Sequence, residues 1–225
     1  VATTITDIRG KVLARIQDSV HDLTTTPDME CDVDRCITAA KEEYQKQRPR
    51  ELSAKVDGDG TFEYALPAGF VDRFSRIRAV FYPHPPVASP WPYGPAGRGR
   101  KPLDEDKTRL VRTESGLRLR FLEHTPGTSE DFLVEFTAPH SLDEAACTLP
   151  VTDDEALADL AAANCCDAMA ARYGQETDPN LQTDVVNRLT KAAEWRSMGT
   201  RYRKSYDAKM TLKDPVLPYL ELRRA

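Results

Sequence analysis

The residues able to do chemistry are scattered along the chain. Four histidines (His21, His84, His124 and His140) stand at no helical or hairpin spacing from one another or from a suitable cysteine pair, so no zinc site is expected. Cys165 and Cys166 are neighbours in a stretch that reads as helix, which turns their side chains about 100° apart and favours packing over reactivity. Cys31 and Cys36 lack the short spacing of metal ligands. The acidic turn Asp57, Gly58, Asp59, Gly60 invites a calcium reading, but Lys55 occupies the first ligand position of a hand loop and no glutamate closes it. A hairpin turn is the better reading. Gly97, Arg98, Gly99, Arg100 and Lys101 have the wrong glycine spacing for a phosphate loop, and a proline follows where a helix should begin. That stretch reads as a flexible basic tip. No Gly-x-Ser-x-Gly elbow is present, and the carboxylates are spread over helix faces, where solvated charge is the simpler reading than an acid/base pair. The expectation is a protein without catalytic, metal or cofactor residues.

Composition bounds the remaining classes. At 225 residues, 40% of them hydrophobic and 30% charged, the chain is long enough to bury a sizeable core in one or two units. A formal net charge of -5 lacks the basic excess of a strong nucleic-acid binder, but would suit a surface that DNA slides past. The five cysteines are odd in number and irregular in spacing, which argues for free, mostly buried thiols rather than a secreted disulfide framework. No apolar run approaches a membrane span, and the first residues, VATTITDIRGKVLARI, are amphipathic, so the expected compartment is cytoplasm with no membrane partner.

The periodicity supplies elements that would hold such groups in place. Ile5, Ile8, Val12, Ile16 and Val20 mark an amphipathic helix, capped by Thr4 or Thr6 and ending near Leu23 before a TTTPD turn. A second helix starts at Asp32, carries Val33, Cys36, Ile37, Ala40 and Tyr44 inward, and stops at Pro49. From Thr152 to Tyr206 two antiparallel helices are expected. Thr152 and Glu155 stand at capping-box spacing, Gly174 is placed for a left-handed stop, and Asp178 with Pro179 opens the second of the pair. Its stripe is Leu181, Val185, Leu189, Ala192, Gly199, Tyr202 and Tyr206. The first of the pair is rich in alanine (Ala156, Ala158, Ala161, Ala162, Ala163, Ala168, Ala170 and Ala171), which lets another backbone come close.

Between the helical halves the period becomes that of strands. Residues 53–56 and 61–64 read as a hairpin across Asp-Gly-Asp-Gly, followed by strands over 76–82, 108–112, 117–122 and 132–137, with Glu114, Ser115 and Gly116 closing another hairpin. Residues 83–102 hold seven prolines and must form a long loop, in which Trp91, Tyr93, Arg98, Arg100 and Lys101 could touch DNA or a neighbouring subunit; a semi-rigid solvated linker is the alternative. After Tyr206, Pro215 and Pro218 forbid continuous helix, yet Met210, Leu212, Val216, Leu217, Tyr219, Leu220 and Leu222 are too apolar for a solvated tail. The expected fold is α+β: a four-helix bundle with an inserted small β-sandwich or barrel and an extended C-terminal tail. The expected domains are a helical core in two halves (1–50 and 140–206), an inserted β domain (51–139) with its proline-rich loop (83–102), and the tail (207–225).

In order and spacing these segments resemble the head-to-tail adaptor, or connector, proteins of tailed bacteriophages and gene transfer agents. The resemblance is carried by the early amphipathic helix, the second helix ending in Tyr44 and a proline, and VDGDGTFEYALPAGF from Val56 to Phe70. It continues in FLVEFTAPHSL from Phe132 to Leu142, LPVTDDEALADLAAANCCDAMAARYGQ from Leu149 to Gln175, and the helix holding Tyr202 and Tyr206. It covers most of the chain, although the proline-rich excursion has no counterpart.

The resemblance implies a structural virion protein without catalysis, assembled in the host cytoplasm. It implies a four-helix core and a ring of about twelve copies between the portal and the next neck or tail protein, with double-stranded DNA passing through the lumen without specific binding. It also implies that the tail embraces the portal protein, with Met210, Leu212, Val216, Leu217, Tyr219, Leu220 and Leu222 supplying apolar contact and Arg223 and Arg224 supplying charge. Two alternatives stand beside it. A tail-completion or stopper protein would also form a small ring, and a hydrolase with an unrecognised site would show a deep pocket with convergent polar groups.

Overall fold

A computed structural model describes residues 3–16, 27–82, 102–114, 116–128, 130–144, 147–175 and 182–213. Among these lie four α-helices and two three-stranded sheets, an α+β composition. The helices are α1 (Ile5–Ile16), α2 (Pro27–Gln47), α3 (Asp154–Gln175) and α4 (Gln182–Lys213). The strands are β1 (Arg50–Asp57), β2 (Glu63–Ala65), β3 (Ile77–Phe81), β4 (Thr108–Thr113), β5 (Gly116–Phe121) and β6 (Asp131–Ala138). The chain divides into a helical unit, Val1–Gln47 with His140–Ala225, and a β unit, Arg48–Pro139.

In the helical unit α3 is the central element. Every residue from Ala156 to Ala163 is buried, and α3 touches each of the other three helices. A helix of leucine and alanine that is apolar all round has no face to give to solvent, so it must be surrounded. Ile8, Val12 and Ile16 of α1 and Val33, Ile37, Ala40 and Tyr44 of α2 recur at helical spacing and are buried in the same cluster as α3. The start of α1 decides between its two candidate caps. The Thr4 hydroxyl accepts from the Asp7 amide at 3.2 Å while the Thr4 amide donates to the Asp7 carboxylate at 2.9 Å, a reciprocal capping box. Thr6 instead donates to Glu144 at 2.6 Å.

Several expected boundaries move. Helix α2 starts at Pro27 rather than Asp32, because a proline at the first helical position needs no amide donor and already has helical φ. The capping box expected at Thr152 and Glu155 does not form. A 3-10 turn spans Val151–Asp153, α3 begins at Asp154, and the Thr152 hydroxyl donates to the Asp153 carboxylate at 3.0 Å. Helix α3 runs through Gly174 to Gln175, so that glycine is not a left-handed stop. The Asp178 and Pro179 cap lies outside the described residues.

Helix α4 continues past Tyr206 to Lys213. Met210, expected in the docking tail, is 7% exposed in the helical core, because it extends the apolar stripe of Ala192, Gly199, Tyr202 and Tyr206 by one more turn. Helix α4 runs antiparallel to α3, with Arg203 bonded to Asp167 and Lys209 to Asp159. At their crossing a Cβ on Gly199 would sit 3.3 Å from Cys166 Cβ and 3.4 Å from the Ala163 carbonyl oxygen, so the absent side chain sets the close approach.

In the β unit the strand orders are β1-β6-β3 and β2-β5-β4, all pairs antiparallel. Tyr64, Leu119 and Phe121 of one sheet and Val80, Phe132, Val134 and Phe136 of the other share one buried cluster. The rings of Tyr64, Phe121 and Phe132 meet edge to face at 4.8–5.6 Å. The hairpin at Glu114 to Gly116 forms, with Thr113 opposite Gly116 and Gly116 at φ +114°. The hairpin expected at Asp57 to Gly60 does not. That turn carries the chain from β1 in one sheet to β2 in the other, because its amides are taken by a different segment: Gly58 N donates to Glu130 O at 2.9 Å and Gly60 N to Pro126 O at 2.9 Å.

Candidate functional site

The densest set of charged and hydroxyl side chains in the helical unit lies where α1, α3 and α4 meet. Asp159, on the second turn of α3, is 3% exposed and accepts from three directions: Arg15 Nε, Ser205 Oγ and Lys209 Nζ, each at 2.6 Å. Burial alone would raise its pKa, but hydrogen bonds from Lys209, Ser205 and Arg15 outweigh burial and hold it below the ordinary aspartate value. Arg15 also pairs with Glu155 and donates to the Lys11 carbonyl at 2.9 Å, while Tyr202 of α4 donates its hydroxyl to the Arg15 carbonyl at 2.6 Å. Lys11 reaches Glu155 at 3.0 Å and Asp154 at 3.4 Å. Asp154 accepts from the Thr3 hydroxyl, and its Oδ1 is the one buried side-chain oxygen without a partner among the described residues.

A second polar group sits beside it. The Tyr44 hydroxyl donates to Asp153 at 2.5 Å, the Tyr44 ring lies 5.6 Å from the ring of His140, and His140 Nδ1 stands 3.1 Å from the Thr148 carbonyl oxygen. Buried polar atoms that find partners in this way tie α2 and the 140–153 segment together.

The chemistry of this arrangement is that of fastening. A carboxylate accepting from two cations and a hydroxyl has its lone pairs committed, and its lowered pKa makes it a poor proton acceptor. Among the described residues no group of three His, Cys, Asp or Glu side chains could hold a metal ion. The four described cysteines are free thiols. Burial pushes the Cys166 thiol up to about 12. We therefore expect Cys166 to resist alkylation near neutral pH in the folded chain and to react once urea unfolds it; reaction at the rate of a free thiol in the native protein would contradict this burial.

The residues singled out from the sequence are placed as follows. Trp91, Tyr93, Arg98, Arg100 and Lys101 lie outside the described residues, as do Val216, Leu217, Tyr219, Leu220, Leu222, Arg223 and Arg224. Leu212 falls in the last turn of α4, and Met210 is part of the core. The structure brings together a different set, Arg15, Asp159, Ser205 and Lys209. One signal for it was available: Asp159 is a single acid inside LADLAAA, and a charge on a helix apolar all round must meet a partner from another element. No helix among the described residues is long and apolar enough to cross a membrane. Neither protein-family models nor curated proteins give a match to this chain.

Proposed function

We propose that this chain is a structural virion protein, a head-to-tail adaptor that forms a ring beneath the portal and joins the capsid to the neck or tail. The observation that carries the reading is the order of the two units along the chain. Helices from both ends surround α3, and the β unit is inserted between Gln47 and His140. The resemblance to adaptors implies that arrangement, in which the helical unit is a four-helix bundle and the β unit a small sandwich or barrel. Helices tied through Asp159 and Tyr202 make a stiff block, which suits a ring that stays in place while DNA moves through it.

In this reading the portal contact falls to the residues after Lys213, including Val216, Leu217, Tyr219, Leu220, Leu222, Arg223 and Arg224, since Met210 is taken by the core. Repetition around a ring multiplies a weak single contact into a strong attachment. Electron cryomicroscopy of native particles tests the proposal. The expected result is a ring of copies, roughly twelve by the resemblance, seated against the portal. Isolated copies without rotational symmetry, or a position away from the portal, would overturn it.

A further inference from the structure

The outer face of the β2-β5-β4 sheet is an arginine surface. Register places Glu63, Arg120 and Arg109 in one row across the three strands, and Ala65, Arg118 and Val111 in the next. The alternate residues Tyr64, Leu119 and Phe121 are buried on the inner side. That outer face therefore carries three guanidinium groups against one carboxylate. Glu63 is engaged by Arg120, with Nε at 2.9 Å. Arg109 lies directly opposite Arg120, is exposed, and has no hydrogen-bond or ion-pair partner among the described residues.

Like charges directly across an antiparallel pair repel, so almost any neutral residue at 109 would make the isolated sheet more stable. Residues 83–101 contain no Asp or Glu and bring no neutralising carboxylate to this face. The charge that balances it comes from another molecule.

The chain itself carries the complement. Residues 48–139 hold 14 Lys and Arg against 13 Asp and Glu, whereas the rest of the chain holds 17 against 23. At the start of α1 three exposed carboxylates come together, Asp7 through its bonds to Thr4, and Glu144, with its neighbour Asp143, through its bond from Thr6 at 2.6 Å. We propose that the Arg109, Arg118 and Arg120 face of one copy docks on the Asp7, Asp143 and Glu144 face of a second copy of this chain. Two different patches meeting in this way make a heterologous, head-to-tail contact, the kind that closes into rings. The inference deepens the adaptor reading and rests on it for the ring. A nucleic-acid duplex is the weaker occupant, because a long polyanion on this face would also meet the field of the acidic helical unit.

Sedimentation of the full-length chain over a concentration series at low ionic strength tests the proposal. Wild type should self-associate, more weakly as salt is added. The pair Arg109→Glu with Arg118→Glu, and the pair Asp143→Lys with Glu144→Lys, should each weaken association about tenfold or more, and the fourfold charge swap should restore it. Arg109→Glu should also raise the melting temperature under conditions where the chain is monomeric, because it relieves the repulsion with Arg120; Arg109→Gln should do the same to a smaller degree.

A wild-type chain that stays monomeric at low ionic strength overturns the proposal, as does a fall in melting temperature on Arg109→Gln, which would make Arg109 a structural residue. Arginine variants that associate like wild type remove this face from the contact and leave the ring reading standing. Particles without a ring remove the adaptor reading and leave a measured self-association in place. Binding of duplex DNA that Arg109→Glu abolishes, with self-association unchanged, would give the face to nucleic acid and overturn the proposal.

Discussion

Replacing Asp159 by alanine lowers the stability of the helical unit by about 3–5 kcal/mol, the cost typical of removing one partner from a buried ion pair. The carboxylate is 3% exposed and holds Arg15 from α1 with Ser205 and Lys209 from α4, each at 2.6 Å. Its loss leaves two partly buried cations facing each other with nothing between them. Glu155→Gln is the control: it touches the same Arg15 and Lys11, but its side chain is 55% exposed, so its loss costs about 1 kcal/mol or less. Urea denaturation of both variants, followed by circular dichroism at 222 nm, a standard wavelength for helix, reads the difference. Equal midpoints for Asp159→Ala and wild type would show that the fastening is not at Asp159.

The same residue sets a pH dependence with a definite sign. The folded-state pKa of Asp159 lies below its ordinary value of 3.8, so the folded state favours the ionised form more than the unfolded chain does. The stabilisation is complete above the unfolded value and is lost as pH falls through the lower folded value. Asp159→Ala should therefore lose stability less steeply than wild type on acidification.

How far this seam was legible in the sequence depends on which residues are considered. The apolar and small residues of α3 announce a surrounded helix, and the stripes of α1 and α2 announce what surrounds it. Arg15 and Asp159 are separated by 144 positions, and no local pattern joins them. The two capping boxes show the limit at short range. Thr4 with Asp7 forms one and Thr152 with Glu155 does not, though both have the spacing. At the second, Asp153 is drawn into the Tyr44 hydrogen bond and a 3-10 turn precedes the helix, so long-range packing overrides local preference. Met210 was misread because two prolines further on suggested an early end to the helix, whereas its spacing from Tyr206 and Tyr202 already continued the stripe.

The strands were legible because each alternates or is bounded by turn residues, and the six described strands overlap the stretches marked by that pattern. Pairing was legible only where the turn leaves no choice, as at Thr113 and Gly116. Asp-Gly-Asp-Gly fits a tight hairpin equally well by composition. What decides against it is the partner of each flanking strand: β1 lies against β6 over its whole length from Arg50 to Asp57, and β2 lies against β5. A register set by eight residue pairs outweighs the preference of one turn.

That crossing makes Gly58 the most demanding position in the β unit, and Gly58→Ala should cost about 3 kcal/mol or more. A Cβ there would lie 2.4 Å from both the Glu130 and Gly127 carbonyl oxygens and 3.0 Å from the Pro126 carbonyl carbon. All three are backbone atoms, so no rotamer change relieves the clash; the 57–60 and 126–130 segments must separate. Separation also breaks the bonds from Gly58 N to Glu130 O and from Gly60 N to Pro126 O. Gly60→Ala is the graded comparison. Its Cβ would meet nothing within 4 Å, and the cost is the strain of φ +79°, about 1–2 kcal/mol. Because the β unit has its own apolar cluster, the damage from Gly58→Ala should stay there. Hydrogen exchange resolves the two units in one sample: amides of β1 and β6 should lose protection while those of α3 keep theirs. Unchanged protection in β1 would mean that the crossing tolerates a side chain, and equal loss in α3 would mean that the two units unfold as one.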